Sequence, residues 1–124
     1  MILGIGTDIT KVNRFESMIN KQSFLQKIYT NQEIAYCQAK KKGAITSFAA
    51  RYAAKEAVMK ALGTGYSLGV AFTEIEIVAN SKGKPEVVLS GTTQRLAEQM
   101  GVKNIHISLT HESEYAVAYV IFEG

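Results

Sequence analysis

The chain has 124 residues, of which 47% are hydrophobic, and it carries a formal net charge of +3 at pH 7. This size and composition fit a single domain over residues 1–124 with its own hydrophobic core. The longest apolar stretch, Tyr115–Phe122, is too short for a membrane-spanning helix, and the lone Cys37 excludes an internal disulfide. Residues 1–8 show no secretory leader. We therefore expect a cytoplasmic protein.

Apolar spacing in the first third of the chain predicts one strand followed by helices. The strand ends near Asp8, and a helix with a shorter helical stretch follows over residues 12–28. The residues Thr30–Glu33 match a capping box, in which the Thr and Glu side chains each bind the other residue's backbone N–H. They predict a further helix that ends near Gly43.

The clearest predicted helix lies in the middle of the chain. It begins at Thr46 or Ser47 and ends at Gly63, a residue type that commonly terminates helices. Two strands follow over Phe72–Val78 and Glu86–Leu89, and the residues between them have the composition of a turn.

The last third of the chain predicts a short helix and two strands. The helix is capped by Thr92 or Thr93 and ends at Gly101, and residues 105–110 form the first strand. The second strand, Tyr115–Phe122, is apolar on both faces, which is typical of a central strand. Helices early and strands late favour an α+β fold, in which an antiparallel sheet packs against a long helix and shorter helices.

One carboxylate, Glu56, lies in the apolar stripe of the long helix, one turn after Tyr52 and just before Met59. It has two explanations. A pair with Lys60 one turn later would stabilise an exposed helix by about 0.2–0.5 kcal/mol. Alternatively, Glu56 is an oxygen ligand of a hard cation, since a buried unpaired charge would be costly.

Asp8 is a second candidate carboxylate, at the end of the first predicted strand, where it is either a turn residue or a ligand. Magnesium commonly takes one or two protein carboxylates and completes its shell with water and phosphate oxygens. Asp8 and Glu56, without a His or Cys cluster, therefore fit magnesium better than zinc.

Three short segments are candidates for binding an anion, although each has an ordinary explanation. Gly63–Gly65 can form an anion-binding loop or simply end the helix. Gly83–Pro85 is a turn by composition. Taken one at a time, Ser108, Thr110 and His111 are explained by a polar strand face that runs into a turn.

Four separated segments of the chain together carry a family signature. They are Gly4–Ile9, Phe48–Ala57 with its continuation Lys60–Gly65, Gly83–Pro85, and Ser108–His111 with Tyr115–Ala118. In combination they resemble the holo-acyl-carrier-protein synthase family of phosphopantetheinyl transferases, over nearly the whole chain. The second segment is the most specific.

The resemblance implies a 4'-phosphopantetheinyl transferase-like fold and a magnesium-dependent enzyme. The 4'-phosphopantetheine moiety of coenzyme A would pass to a serine of apo acyl-carrier protein, releasing 3',5'-ADP and giving the holo carrier for fatty acid biosynthesis. Such phosphoryl transfer depends mainly on positioning and on neutralising phosphate charge. The resemblance also implies a homotrimer with active sites at subunit interfaces, which would explain the small-residue face of the long helix at Ala50, Ala53 and Ala57.

The resemblance further implies roles for individual residues. Asp8 and Glu56 would bind magnesium and, with Lys60, form the catalytic group. The coenzyme A contacts would come from Arg51, Lys60, Gly63, Thr64, Gly65, Lys84, Pro85, Ser108, Thr110 and His111. Lys55 would add charge near the phosphates. The proton of the carrier serine would pass to a metal-polarised water or to Glu33, although the capping box also accounts for Glu33.

Carrier proteins of this kind are acidic, and the resemblance assigns their docking to Arg14 and Lys21. Both lie on the polar side of the helix predicted after the first strand. The sequence departs from the family at Phe24, where relatives commonly have a basic residue, and at Thr110, where serine is more usual.

Two other classes of function are weighed against this one. A non-catalytic module that binds coenzyme A or another nucleotide would not need both Asp8 and Glu56. A nucleic-acid-binding domain would need clustered basic residues with exposed aromatic side chains, whereas the basic residues here are scattered. We therefore expect neither nucleic acid nor a membrane as a partner.

Overall fold

The computed structural model describes all 124 residues. Its strands are β1 (Ile2–Lys11), β2 (Ile75–Ala79), β3 (Pro85–Leu89), β4 (Asn104–His111) and β5 (Tyr115–Glu123). Its α-helices are α1 (Phe15–Met18), α2 (Gln22–Ile28), α3 (Asn31–Ala39), α4 (Ala44–Leu62) and α5 (Gly91–Gln99). Single 3₁₀ turns cover Val12–Arg14, Lys41–Gly43 and Phe72–Glu74. No helix combines the length and the apolar character needed to cross a membrane.

The strands form two antiparallel sheets, which confirms the predicted α+β class. One sheet has the order β1-β5-β4, and the other is the β2-β3 hairpin. The central position of β5 confirms the prediction from its apolar faces. One face of the larger sheet packs on α4, and its opposite face carries side chains that remain exposed, among them Ile5, Ile9 and Tyr119.

Helix α4 lies directly against β1 because two glycines on the strand let the backbones meet. A Cβ on Gly6 would lie 2.9 Å from the backbone nitrogen of Ala61, and Gly4 faces the carbonyl group of the same residue. The small-residue face of α4 is therefore covered within the chain, and Ala53 and Ala57 are completely buried. The expectation that Ala53 and Ala57 serve contacts between copies was wrong, since they are already buried against the sheet.

Several predicted boundaries shift for identifiable reasons. Strand β1 continues past Asp8 because it pairs with β5 as far as Lys11. Helix α4 begins at Ala44, two residues before the predicted start. The predicted strand start at Phe72 is a 3₁₀ turn, and α5 is preceded by Ser90 instead of a threonine cap.

Two other predicted helix ends can be compared directly. Helix α3 has both hydrogen bonds of the predicted capping box but ends at Ala39, before a 3₁₀ turn that reaches Gly43. Helix α4 ends as predicted at Gly63, which adopts the left-handed conformation with φ of 79°. A left-handed glycine is favoured there because it has no Cβ to clash.

Candidate active site

The first group of candidate residues lies on β1 and on the neighbouring helix α4. Lys60 reaches from α4 to β1, with its ammonium nitrogen 2.9 Å from the Thr7 carbonyl oxygen and 3.4 Å from Asp8 Oδ1. Asp8 Oδ2 accepts a hydrogen bond from the Thr10 hydroxyl at 2.7 Å. Glu56 lies one helical turn before Lys60 and is half-buried. We call Asp8, Glu56 and Lys60 the carboxylate group.

The ion pair of Lys60 distinguishes between the two explanations of Glu56. Its only carboxylate partner is Asp8, and the Asp8 side chain is 16% exposed. Glu56 instead accepts a hydrogen bond at Oε1 from the hydroxyl of Tyr66. The interpretation of Glu56 as one half of a surface pair with Lys60 was therefore wrong.

The donor set of the carboxylate group fits magnesium. Asp8 and Glu56 supply hard carboxylate oxygens, and the fold assembles no group of three or more His, Cys, Asp or Glu side chains that could hold a metal by protein ligands alone. Magnesium is commonly held by one or two carboxylates, with water and substrate phosphates as its other ligands. The residues present thus suit a cation that arrives with a phosphorylated substrate.

Two tyrosines surround the Glu56 carboxylate. Burial and the hydrogen bond to Glu56 raise the pKa of Tyr66. Burial and the Glu56 charge likewise raise the pKa of Tyr52, although Tyr66 and Arg14 act in the opposite direction. Both phenols therefore remain protonated and able to donate at neutral pH. Sequence reasoning missed Tyr66, because no pattern marks a loop residue as a partner of a helix residue.

The second group of candidate residues lines a basic cleft of about 470 Å³ between α3, α4, the β2-β3 hairpin and the end of β4. We call it the basic cleft, and its lining includes Lys40, Ser47, Arg51, Gly83, Pro85 and His111. No Asp or Glu lines it, so its electrostatic character suits an anion. Lys40 and Ser47 were missed, although the basic run over residues 40–42 was visible in the sequence.

Arg51 is the most informative residue of the basic cleft. It is only 7% exposed, its guanidinium lies 4.2 Å from the centre of the Tyr36 ring, and it donates to the Ser47 hydroxyl at 3.1 Å. Its Nε is buried and has no hydrogen-bond partner. Burial raises the pKa of Tyr36, but a hydrogen bond with Lys40 and the Arg51 charge outweigh that effect and lower it. The guanidinium thus supplies a fixed positive charge at the wall of the basic cleft, which suits a ligand phosphate.

The remaining coenzyme A candidates lie in different places. Ser108 and Thr110 project from the exposed face of the sheet, opposite Tyr119 and Val117 on β5, whereas His111 turns towards the basic cleft. Residues 63–65 directly follow α4 and are largely exposed, as is Lys84 at the tip of the hairpin. A single copy of the chain therefore does not bring all the candidates into one pocket.

Two expectations are corrected by a buried ion pair. Lys55 is completely buried, and its ammonium lies 2.7 Å from Glu33 Oε1, so it cannot contribute charge near a bound phosphate. Glu33 also accepts from the backbone N–H groups of Thr30 and Ile77. Because these contacts occupy both of its oxygens, Glu33 is a structural residue and not a general base.

The predicted docking residues are both exposed. Arg14 lies in the turn after β1, and its guanidinium is 5.6 Å from the centre of the Tyr52 ring, near the carboxylate group. Lys21 precedes α2. Phe24, where the sequence departs from the family pattern, packs edge-on against Phe15 with ring centres 6.3 Å apart.

Comparison with known proteins finds related sequences and structures over nearly the whole chain. Residues 4–120 match the model of the 4'-phosphopantetheinyl transferase superfamily. A holo-[acyl-carrier-protein] synthase from Halothermothrix orenii is 43% identical over 99% of this chain and 98% of its own length. The crystal structure of the Neisseria meningitidis synthase covers 100% of both chains, with a TM-score of 0.89 and 33% identity. The Bacillus anthracis synthase in complex with CoA (3',5'-ADP) covers 98% of this chain and 96% of its own, with a TM-score of 0.81 and 36% identity.

Proposed function

The chain belongs to the 4'-phosphopantetheinyl transferase superfamily, and from its geometry we propose how its residues divide the work of the reaction. The protein transfers the 4'-phosphopantetheine moiety of coenzyme A to a serine of apo acyl-carrier protein and releases 3',5'-ADP. The holo carrier then serves fatty acid biosynthesis. A cytoplasmic setting is part of the proposal, and the free, buried thiol of Cys37 suits a reducing compartment.

The observation that supports the proposal is the ion pair between Asp8 and Lys60 where β1 crosses α4, with Glu56 one helical turn before Lys60. Asp8 and Glu56 would hold magnesium, which supplies positive charge to the pyrophosphate of coenzyme A when it is bound. Lys60, with its side chain 54% exposed beside Asp8, adds a second positive charge that can reach a phosphate oxygen. In the reaction the serine oxygen bonds to the phosphorus that bears pantetheine, and the bond from that phosphorus to the 3',5'-ADP oxygen breaks.

The basic cleft is proposed to hold the nucleotide end of coenzyme A. Arg51 lines the cleft, and its guanidinium can donate to a phosphate oxygen. His111 and Pro85 line the same cleft, with Lys84 at its rim next to Gly83. The cleft thus offers positive charge for phosphate together with an apolar wall.

A homotrimer with shared sites is part of the proposal: the family resemblance implies the number three, and two observations support contact between copies. Arg51 and Glu56 are five residues apart on α4, so their side chains leave the helix about 140° apart and face different sides of it. A ligand held at both places would therefore contact different copies. The exposed sheet face carries apolar side chains beside Ser108 and Thr110, with Ile5 and Ile9 58% and 64% exposed. Such a patch is typical of a subunit contact.

Arg14 and Lys21 are proposed to receive the acidic carrier protein. Arg14 lies over Tyr52, a neighbour of Glu56, so a carrier bound there would present its serine close to the carboxylate group. Charge complementarity of this kind mainly accelerates and orients the encounter.

The proposal is tested by incubating the protein with coenzyme A, magnesium and apo acyl-carrier protein, and by weighing the carrier by mass spectrometry. We expect a gain equal to one 4'-phosphopantetheine. Asp8→Asn and Glu56→Gln keep side-chain volume but remove a negative ligand, so each should abolish the gain while circular dichroism shows an intact fold. Near-normal magnesium-dependent transfer in both variants would exclude these residues from the metal site.

A further inference from the structure

We propose that Tyr66 is a positioning residue that orients the Glu56 carboxylate for a divalent cation. The inference rests on the proposed function, because it concerns the same metal ligand. It concerns a residue of the loop after α4 that lies outside the family signature segments.

The contact leaves one carboxylate oxygen available. The Tyr66 hydroxyl donates to Oε1 of Glu56, and the Tyr52 hydroxyl also interacts with this carboxylate. Glu56 has no cationic partner within 4.0 Å. A long side chain can adopt several rotamers, and the Tyr66 phenol favours the rotamer in which Oε1 faces it. Oε2 then remains free for a ligand.

The position of the phenol is set independently of Glu56. The Tyr66 ring packs on Phe72, with ring centres 5.3 Å apart, and Phe72 stacks on Tyr52 at 5.6 Å. Tyr52 lies one turn before Glu56 on α4, so the stack begins and ends beside the same carboxylate. Because Tyr66 itself is 60% exposed, it contributes little to the core, and loss of its hydroxyl should leave the fold intact.

This arrangement has the chemistry of an outer hydrogen bond to a metal ligand. A donor that fixes one oxygen of a ligating carboxylate prepares the other oxygen for the cation, and removal of such partners typically lowers metal affinity about 10–100-fold. Tyr66→Phe removes the donor and keeps the ring on Phe72, so it isolates the hydroxyl. Tyr115→Phe removes a phenol on β5, outside this cluster, and is the matched control.

The test measures Mn²⁺ binding by electron paramagnetic resonance with coenzyme A present, because Mn²⁺ takes oxygen ligands as Mg²⁺ does and gives a signal. We expect Tyr66→Phe to weaken Mn²⁺ affinity at least about 10-fold, with an unchanged thermal midpoint and with Tyr115→Phe like the wild type. Glu56→Gln should weaken binding at least as much.

The outcomes separate two kinds of failure. If Glu56→Gln weakens Mn²⁺ binding but Tyr66→Phe leaves it unchanged, Glu56 is a ligand and Tyr66 does not orient it. If Tyr66→Phe tightens binding, the hydroxyl competes with the cation and the inference is also overturned. If neither Glu56→Gln nor Tyr66→Phe changes Mn²⁺ affinity, Glu56 is not a metal ligand. The proposed metal site and the proposed role of Tyr66 are then both wrong.

Discussion

Replacing Lys55 with methionine should destabilise the protein strongly, because it leaves a buried carboxylate without its cation. The Lys55 ammonium is fully buried and lies 2.7 Å from Oε1 of Glu33, a residue that is 1% exposed. The same ammonium donates to the backbone carbonyl groups of Phe72 and Ile75. Methionine fills a similar volume but donates nothing, so one charge and two carbonyl groups lose a partner.

The expected size follows from the burial of both partners. Removing one side of a buried ion pair costs about 3–5 kcal/mol. Domains of this kind are stable by only about 5–15 kcal/mol, so the loss is a large share of the total. At about 4 °C per kcal/mol for a chain of this length, the melting temperature should fall by about 12–20 °C.

Thermal and urea unfolding followed by circular dichroism measure this loss, at one fixed protein concentration because assembly makes melting concentration-dependent. The matched variant is Lys55→Met combined with Glu33→Gln, which removes the stranded charge but keeps an amide oxygen for the Ile77 N–H. It should be at least about 1 kcal/mol more stable than Lys55→Met alone. A single variant that unfolds like the wild type, or a double variant that recovers nothing, would refute the reasoning.

Three further changes test other parts of the fold and site. Gly6→Ala should lower the free energy of unfolding by about 1–3 kcal/mol or more, since its Cβ would collide with the Ala57 carbonyl group. Gly43→Ala is the control: its Cβ would have no neighbour closer than 3.6 Å, so thermal unfolding should be nearly unchanged. Arg14→Glu should raise KM for the carrier and barely change KM for coenzyme A, and high salt should narrow the difference in steady-state kinetics. Glu74→Ala should cost about 1 kcal/mol at pH 7 by removing the acceptor at the start of α5. Hydrogen bonding lowers the pKa of Glu74 in the folded protein below its ordinary value of 4.5. The Glu74 carboxylate therefore stabilises the fold above pH 4.5, and this stabilisation is lost as the pH falls through the pKa of the folded state. Below that pKa, wild type and variant should have the same stability in urea unfolding.

Local patterns predicted most of the secondary structure because their causes are local. The apolar character of Tyr115–Phe122 on both faces reflects burial in the middle of a sheet. The capping box at Thr30 and Glu33 uses groups within one helical turn, so it was readable from four residues. Where a boundary was missed, as at Phe72, a 3₁₀ turn preceded a strand without any change in composition.

Long-range partners were not predictable from the same patterns. Glu33, the buried partner of Lys55, lies 22 residues earlier in the chain. No pattern in the sequence of α4 identifies that partner. The small-residue face of α4 predicts a close contact with another backbone, but it does not indicate which segment makes that contact. The matching signal was the pair Gly4 and Gly6, which had been interpreted only as part of a family segment.

The division of the candidate site follows from the alternation of side chains along β4. Neighbouring positions of a strand face opposite sides of the sheet, so Ser108 and Thr110 share one side while His111 takes the other. Adjacency in the sequence had suggested a single cluster. The alternation of side chains between the two faces of β4 is predictable from the sequence. Which of these faces lies towards the basic cleft depends on how the sheet packs on α4.

The same geometry explains why so many functions share one short stretch of α4. Successive residues of an α-helix point about 100° apart, so Lys55, Glu56 and Ala57 serve three different surroundings. Lys55 enters the core towards Glu33, Glu56 faces Tyr66, and Ala57 admits the backbone of β1. One inserted residue before them would shift each by one helical position, and the Glu56 carboxylate would then face the glycines of β1 in place of Ala57. The contiguous motif is therefore a consequence of packing on three sides, and Glu56, the proposed metal ligand, cannot be moved along the helix without disrupting the core.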